Sequence, residues 1–489
     1  MRLRGGLVMK AAYAALLGMA ALGCAQMRPA ATSPVVEDGG VVIVYLAPLA
    51  QESTRLRFRL AGLGAAPEEG GSLPLRPRLK EIGGGDASRE RLLASGSLPP
   101  GRYGGLTVTV EAATLRGEEG TSDLRLPAGP VPIPIPFTVA RRQAVVLSLE
   151  FDYRASVESG FRFDPVFMAS EPPRPAPDLL AAVSSRGANL LTLFDKISGR
   201  VVGAVPTGRR PAGIVFDAVE RRAYVAVSGD DAVESIDLLE FRPLSRVELR
   251  GGDEPLDLAL TPDGRTLLVA NIGSSTVSFI DTRTMTETDR VPLQSGTSPM
   301  IDREGAELGE RPSQILVDRN GQRAYVFNAA SGSLTVLDVS SRRVAGTITT
   351  EPGPFRGDFN REEDRLFVIH GPTPYVSIVD PLAMSVVSKV YVATGLTAVK
   401  VNAETDRVYL ANRQSRSLDI YDPVSLLPVD MIPIDGEVSF LAIDDEGNTM
   451  YAVLPGRDEV QVLRIVGGRM TARVEVGDDP YDIALAGER

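Results

Sequence analysis

One block of sequence recurs along the C-terminal two-thirds of the chain, and this repeat restricts the possible folds more than any other feature. A short apolar segment opens at residues 180, 224, 268, 325, 367, 409 and 451, so successive copies lie 44, 44, 57, 42, 42 and 42 residues apart. This period is close to the roughly 40–50 residues of a propeller blade. Most copies then reach a second apolar segment that ends in Asp, at Asp237, Asp281, Asp338, Asp380 and Asp422.

A complete copy contains four short apolar segments, which we name strands A to D. Strand A begins after a Gly-x-x-Pro sequence such as Gly208 to Pro211, and strand B carries the recurring segment. The first copy lacks strand A, whereas the chain ends on a surplus one, Tyr481 to Leu485. Strands this short bury both faces by stacking radially, and the surplus strand can cover the open edge of the first blade. The sequence therefore predicts a closed seven-bladed β-propeller.

The strand B segments resemble the YVTN repeats of bacterial and archaeal surface proteins. Tyr325-Val326-Phe327-Asn328 and Tyr409-Leu410-Ala411-Asn412 carry the resemblance most clearly, and the chain has no Trp to form a WD repeat. The resemblance implies the fold but not an activity. Related seven-bladed folds carry haem, quinone partners or lactone hydrolysis, and a fold does not decide among these.

The N-terminus has the pattern of an export signal. Basic residues precede the apolar run Ala11 to Leu22, which is too short for a permanent membrane anchor. Cys24 is the only cysteine, and Ala21-Leu22-Gly23 before it resembles the bacterial lipobox. We therefore predict lipidation at Cys24 and an exported, membrane-anchored lipoprotein that faces the periplasm or the cell surface. Ordinary signal cleavage after Ala25 is the alternative.

Between the signal and the repeats, short segments with strand-like alternation follow one another. They include Val41 to Leu46, Arg55 to Leu60, Leu106 to Val110, Asp123 to Leu126 and Ala144 to Phe151. Such a succession without long helical periodicity predicts an Ig-like or transthyretin-like β-sandwich. The turn Leu98 to Tyr103 and the late strand Val145 to Asp152 resemble a bacterial domain family of unknown function, which implies an extracytoplasmic sandwich without known chemistry.

The fold class predicted for the whole chain is all-β, with a sandwich before the propeller. The predicted divisions are a signal peptide at 1–23, a spacer at 24–39, the sandwich at 40–170, a Pro-rich linker at 171–177 and the propeller at 178–489.

Composition excludes several classes of function. The 63 acidic and 52 basic residues give a net charge of −11, which disfavours nucleic acid as a partner. One histidine and one cysteine leave little scope for nucleophile–base pairs, multi-histidine metal sites or disulfides. We therefore expect no metal and no cofactor, and a monomeric protein.

Strand direction predicts where a partner binds. Because successive strands run antiparallel, the loops between strands D and A share a face with those between B and C. We predict that this face binds a ligand through Arg210 and Arg311 at its rim, with Asp479 nearby. The same face receives the last residue of strand B, which is Asn271, Asn328, His370 or Asn412. A purely structural role for His370, as a substitute for Asn, is the alternative.

Two functions remain open from the sequence. The poverty of catalytic side chains favours a non-enzymatic scaffold of the cell envelope, whose propeller face binds a protein or a glycan. The alternative is an enzyme or redox domain that uses the central channel, of a lactonase-like, carbohydrate-active or haem-binding kind. Carboxylates can catalyse glycoside cleavage without histidine, so composition does not exclude this alternative.

Overall fold

The computed structural model describes residues 39–86, 88–118, 120–158, 161–294, 309–444 and 448–487. Nearly all of the regular structure in these ranges is β-strand. The one α-helix among them, α1, spans Tyr153–Ser156, and 3-10 turns occupy Gln51–Arg55, Gly84–Asp86, Pro177–Leu179, Ser228–Asp230 and Pro455–Arg457. In this described part, no helix has the length and apolar character needed to cross a bilayer. Cys24 and the acidic insertion around residue 304 lie outside these ranges.

The first domain contains twelve strands, ten of which pair into one sheet. The strands are β1 (Gly40–Leu46), β2 (Leu56–Pro67), β3 (Leu73–Pro77), β4 (Glu81–Ile82), β5 (Arg91–Leu98), β6 (Gly101–Arg116), β7 (Thr121–Asp123), β8 (Val131–Val139), β9 (Ala144–Asp152), β10 (Val157–Glu158), β11 (Arg162–Phe163) and β12 (Val166–Ser170). The main path of the sheet is β12-β9-β1-β5-β3-β2-β6-β7, with β4 on β2 and β8 on β6.

The core of this domain collects apolar side chains from both ends of the sheet. Phe58, Phe151 and Phe163 are buried, and their ring centroids lie 5.0 to 6.2 Å apart. Strand β8 places the prolines of its Val-Pro-Ile-Pro-Ile-Pro sequence on the exposed side and alternate apolar residues inside. Because β8 pairs only with β6, its missing N–H groups break no second ladder. Assignment to an Ig-like or transthyretin-like sandwich stays a prediction.

The second domain is a seven-bladed propeller, in which each blade is a four-stranded antiparallel sheet. Blade 1 contains β13 (Leu180–Ser185), β14 (Leu190–Asp195) and β15 (Val201–Pro206); blade 2 contains β16 (Pro211–Asp217), β17 (Arg222–Val227), β18 (Ala232–Asp237) and β19 (Arg242–Glu248); blade 3 contains β20 (Pro255–Leu260), β21 (Thr266–Asn271), β22 (Thr276–Asp281) and β23 (Thr286–Pro292); blade 4 contains β24 (Pro312–Val317), β25 (Arg323–Asn328), β26 (Ser333–Asp338) and β27 (Arg343–Thr349).

The remaining blades repeat this order. Blade 5 contains β28 (Pro354–Phe359), β29 (Leu366–His370), β30 (Tyr375–Asp380) and β31 (Ser385–Tyr391); blade 6 contains β32 (Leu396–Val401), β33 (Val408–Asn412), β34 (Ser417–Tyr421) and β35 (Pro428–Pro433); blade 7 contains β36 (Phe440–Asp444), β37 (Thr449–Leu454), β38 (Glu459–Arg464) and β39 (Arg469–Glu475); β40 (Pro480–Leu485) ends the series. The predicted strands A to D correspond to the four strands of each blade from the channel outward.

The ring closes as the repeat predicts. The last strand, β40, pairs antiparallel with β13 and becomes strand A of blade 1, with Ile483 opposite Val183. Ile483 and Leu485 are only 2% and 3% exposed. The first blade therefore combines the beginning and the end of the propeller sequence, and β40 covers the inner edge of β13.

The aspartates that end strand C act as turn caps. The Asp237 carboxylate accepts hydrogen bonds from the backbone N–H groups of Leu239 and Glu240, at 2.8 and 3.0 Å. Equivalent contacts recur at Asp281, Asp380 and Asp422, among others. These are the local hydrogen bonds that make Asp favourable at the start of a turn. The recurring apolar-Asp pair is therefore a structural signal.

The two domains share a continuous interface. Ile43, Tyr45 and Leu92 of the first domain belong to the same apolar cluster as side chains of blades 1 and 7. The Glu475 carboxylate at the end of β39 accepts from Arg91 Nε at 2.6 Å and from the backbone N–H of Leu92 at 2.8 Å. The first domain thus packs across the junction at which the ring closes.

The Pro-rich linker is also fixed against the propeller. Arg174 Nη1 donates to the carbonyl oxygen of Leu239 at 2.6 Å, and its guanidinium lies 4.8 Å from the ring centroid of Phe241. Both partners belong to the turn between strands C and D of blade 2. The linker therefore lies along blade 2 and helps to orient the first domain.

Candidate functional site

The loops between strands D and A and those between B and C lie at one end of the blades, which we call the upper face. Arg210, Arg311 and Asp479 precede strand A in a left-handed conformation, with φ of 54°, 48° and 53°. Their exposed side chains lie on this face. Backbone N–H groups hold the loops: Arg210 donates to Asn189 Oδ1 at 2.9 Å, and Asp479 to Asp458 Oδ1 at 3.0 Å. The three predicted rim residues are accessible, and ligand contact by them stays a prediction.

The amide and imidazole groups predicted for the same face are buried. Asn271 is 0% exposed and donates from Nδ2 to the hydroxyls of Thr276 and Ser278, at 3.0 and 2.8 Å. Asn328 makes the same two contacts in its own blade, and His370 Nε2 lies 2.9 Å from the equivalent serine hydroxyl. These side chains connect the end of strand B to strand C. These contacts are typical of residues with a structural role. Ligand binding by these residues stays a prediction.

The remaining member of the set, Asn412, is 6% exposed and donates to the carbonyl oxygen of Thr394 at 3.1 Å. Burial lowers the pKa of His370 to about 4, so the imidazole is neutral at physiological pH. A neutral, buried imidazole of this kind replaces the amide of the other blades.

The central channel contains a ring of side chains that the repeat pattern did not single out. They occupy the third position of each strand A, counted from its proline or the equivalent residue: Gly213, Asp257, Gln314, Arg356, Ala398, Phe440 and Asp482. Several link neighbouring blades: the side-chain Oε1 of Gln314 accepts from the backbone N–H of Gly357 at 2.7 Å, and the two aspartate carboxylates accept from backbone N–H groups in the same way. Charged groups are thus built into an otherwise apolar strand position.

The half-buried Asp257 and the buried Asp482 form an interacting pair of carboxyl groups. Asp257 Oδ2 accepts from the backbone N–H of Ile315 at 2.9 Å, and Asp482 Oδ2 from that of Ile214 at 3.1 Å. Burial raises the pKa of Asp257 to about 6. Burial, and next the charge of Asp257, raise the pKa of Asp482 to about 8, while Arg356 opposes both shifts. Near neutral pH, one of the two carboxyls therefore retains its proton.

Three arginines and two aromatic residues lie near this pair, at what we call the channel mouth: Arg186, Arg210, Arg356, Phe440 and Tyr481. The Arg186 guanidinium carbon lies 3.4 Å from the Tyr481 ring centroid, and that of Arg356 lies 4.6 Å from the Phe440 centroid. Burial lowers the pKa of Arg186, Tyr481 and the nearby Asp479 oppose this shift, and the charges of Arg210 and Arg356 add to it. Arg186 Nε is buried and has no hydrogen-bond partner among the described residues. The mouth therefore combines three cations with two aromatic faces.

The sequence analysis did not single out these residues. Arg186 lies in the loop between strands B and C of blade 1, whereas Arg356 and Asp482 belong to blades 5 and 1. The signal that could have found the channel residues is a charge at the third position of an apolar strand A. These residues belong to different blades, however, and only the closed ring brings their side chains close together.

No group of three or more His, Cys, Asp or Glu side chains in the described ranges has an arrangement that could hold a metal ion. The channel carboxyls come as a pair, and their neighbour is a cation. The mouth therefore has guanidinium groups that can bind an anion and carboxyls that can exchange a proton.

The fold and channel define a seven-bladed β-propeller that follows an all-β domain. The sequence matches no known protein-family profile and no curated protein sequence. Among solved structures it is similar to a putative 6-phosphogluconolactonase from Bacteroides fragilis, with a TM-score of 0.54, 14% identity, and coverage of 64% of this chain and 99% of that one.

Two further structures share the propeller. The periplasmic gluconolactonase of Pseudomonas aeruginosa has a TM-score of 0.52 and 19% identity, covering 62% of this chain and 98% of its own. Hydrazine synthase of Kuenenia stuttgartiensis has a TM-score of 0.52 and 17% identity, covering 60% and 96%. At these identities the likeness shows the fold alone.

Proposed function

We propose that the channel mouth binds a small hydroxylated carboxylate, of the sugar-acid class. The observation that carries the proposal is the convergence of Arg186, Arg210 and Arg356, with Arg186 Nε buried and unpaired among the described residues. A carboxylate would supply the missing acceptor, since arginine forms strong, often bidentate hydrogen bonds with this group. The faces of Tyr481 and Phe440 would border the carbon skeleton, while hydroxyls would bond to exposed loop groups. Propellers that act on sugar lactones share the fold, which makes this ligand class a reasonable first test.

The test is calorimetric titration of the protein with D-gluconate. Arg186→Ala should weaken binding at least tenfold, because it removes a charge-assisted contact in a shielded position. Arg283→Ala is the matched control, since Arg283 is exposed in a turn on the opposite face and should leave the affinity unchanged. Equal affinity of wild type and Arg186→Ala, or no binding by the wild type, would overturn the assignment.

A second candidate function, lactone hydrolysis at the same mouth, is favoured by the paired carboxyls. Water would add to the lactone carbonyl, the ring C–O bond would break, and a protonated Asp482 would donate its proton to the leaving alkoxide. An ionised Asp257 would accept a proton from the attacking water. Burial raises the pKa of both carboxyls, and the charge of Asp257 raises that of Asp482 further, so the pair holds one proton near neutral pH and Asp482 is the partner that retains it.

Initial rates with D-glucono-1,5-lactone test this second function. We expect a bell-shaped pH profile and a loss of at least one hundredfold in Asp482→Asn. A wild-type rate equal to that of the spontaneous reaction would refute hydrolysis while leaving gluconate binding intact.

The export signal motivates a separate proposal about location. We propose that the protein is a lipoprotein of the cell envelope, anchored through Cys24, and that its propeller belongs to the YVTN type. In that setting the upper face would be open to a protein or glycan partner as well as to a small ligand. Cys24→Ser should move the protein from the membrane fraction to the soluble one. A wild-type protein that is already soluble, with its N-terminus at Gln26, would show that ordinary cleavage is used.

A further inference from the structure

A second cation-rich site lies far from the channel, between the first domain and blade 2. It is a cleft of about 290 Å³ lined by the turn before β9 and by the outer strands of blade 2. Its charged side chains are Arg141, Arg142, Arg242, Arg246 and Glu234. Glu234 is the one acidic residue that lines the cleft, and Arg246 also pairs with Asp230 and Glu248 beside it, at 3.4 and 2.6 Å.

Glu234 fixes two of these arginines. The carboxylate is 1% exposed and lies 3.3 Å from Arg142 Nη2 of the first domain and 3.0 Å from Arg246 Nη1 of its own blade. Its other oxygen accepts from the backbone N–H of Gly208 at 3.3 Å. The wall of the cleft is therefore held across the domain boundary by a buried ion-pair network.

The other two arginines have no such partner. The guanidinium groups of Arg141 and Arg242 are exposed, and within the described residues neither makes a side-chain hydrogen bond or an ion pair. Like charges gathered in one cleft repel each other, and a bound anion would offset this repulsion. The N–H donors of the Arg141 and Arg242 guanidinium groups are therefore available to a ligand.

We propose that this cleft binds a phosphate group. Phosphate offers several acceptor oxygens to converging guanidinium groups, which bind it in a bidentate manner. The cleft is at the lower end of the size range of small-molecule sites, so it admits a phosphate with a small organic group attached. The proposal is independent of the sugar-acid site, because the two sites lie on different surfaces and share no residue.

The position of the cleft is compatible with two sources of the phosphate group. The backbone N–H of Arg142 donates to the carbonyl oxygen of Gly39 at 2.9 Å, so the cleft adjoins the first described residue. About 15 residues separate Cys24 from this point, and an extended spacer of that length reaches at most about 50 Å. The phosphodiester of a lipid headgroup is therefore one source, and a soluble phosphate monoester is the other.

Calorimetric titration distinguishes these sources. Inorganic phosphate serves as the probe for a monoester dianion, and glycerophosphoglycerol as the probe for a lipid headgroup, both at constant ionic strength. The double variant Arg141→Ala/Arg242→Ala should weaken binding of the relevant probe at least tenfold and leave the melting temperature nearly unchanged. The charge-matched control is Arg283→Ala/Arg343→Ala: both arginines are exposed at the face opposite the upper face, Arg283 in a turn and Arg343 at the start of β27.

Binding of glycerophosphoglycerol that is lost in the double variant supports a headgroup site, and binding of inorganic phosphate alone supports a soluble ligand. If the wild type binds neither probe at millimolar concentration, the cleft is not a phosphate site. Equal binding by the double variant and the control would likewise overturn the proposal. A loss of binding in the control would mean that only net charge matters.

Discussion

Removal of residues 479–489 tests whether the last strand stabilises the ring. The deletion takes away β40, in which Ile483 and Leu485 are almost fully buried, and it uncovers the inner edge of β13, whose residues are all buried. At roughly 1.5–3 kcal/mol for each fully buried large side chain, these two residues alone account for about 3–6 kcal/mol. The loss of the ladder between β40 and β13 adds to this figure. A whole domain is stable by only about 5–15 kcal/mol, so we expect unfolding or aggregation near room temperature.

Scanning calorimetry and size-exclusion chromatography of the truncated chain are suitable assays. The control is removal of residues 487–489, which lie beyond β40 and should leave the melting temperature unchanged. A point variant gives a graded version, since Ile483→Ala should cost about 2–5 kcal/mol by opening a cavity. A truncated protein that melts at the wild-type temperature would refute the idea that β40 carries the stability of the ring.

Three further predictions concern buried groups. Burial raises the pKa of Glu90 from 4.5 to about 7, so between these pH values the folded state retains a proton that the unfolded state releases. Stability should therefore fall as pH rises through this range. In urea titrations, Glu90→Gln should flatten that fall and add on the order of 2 kcal/mol at pH 8. The pKa of His370 is lowered from 6.5 to about 4, so stability should decline as pH falls through this window, and His370→Asn should remove that decline. Gly213→Ala would place a Cβ 2.8 Å from the Asp257 Cα, and we expect a loss of about 1–3 kcal/mol. Gly251→Ala, where a Cβ meets nothing within 4 Å, is its calorimetric control.

The repeat carried most of the information about the propeller. Each copy presents the same local signals, and the Asp that ends strand C caps its turn in blade after blade. A strand missing from the first copy and present at the end was enough to predict the pairing of β40 with β13. The first domain has no repeat, so weaker signals were missed. Strand β8 is an example, because its alternate prolines look incompatible with a sheet until they lie on the exposed side of a strand with one neighbour.

The candidate site was less predictable for a geometric reason. Strand direction placed Asn271 and His370 at the predicted binding face, and the register of strands B and C, which the sequence did not reveal, gives their side chains hydroxyl partners inside the blade. Asp257 and Asp482 are far apart in sequence, and their interaction depends on the closed ring. A local pattern reveals the partners of a side chain within one blade, whereas contacts across the channel require the tertiary fold.

The position of the first domain has a consequence for the order of events during synthesis. Tyr45 donates its hydroxyl hydrogen to the carbonyl oxygen of Glu475. Because Glu475 follows Tyr45 by 430 residues, this contact forms only late in synthesis. Until that segment appears, the apolar face around Ile43 and Leu92 has no surface to cover it. A nascent chain stalled before blade 7 therefore exposes both the open edge of an incomplete propeller and the apolar face of the first domain. Such an intermediate exposes surface that holding chaperones bind, and its release depends on blade 7 and β40, about fifty residues that begin at Phe440.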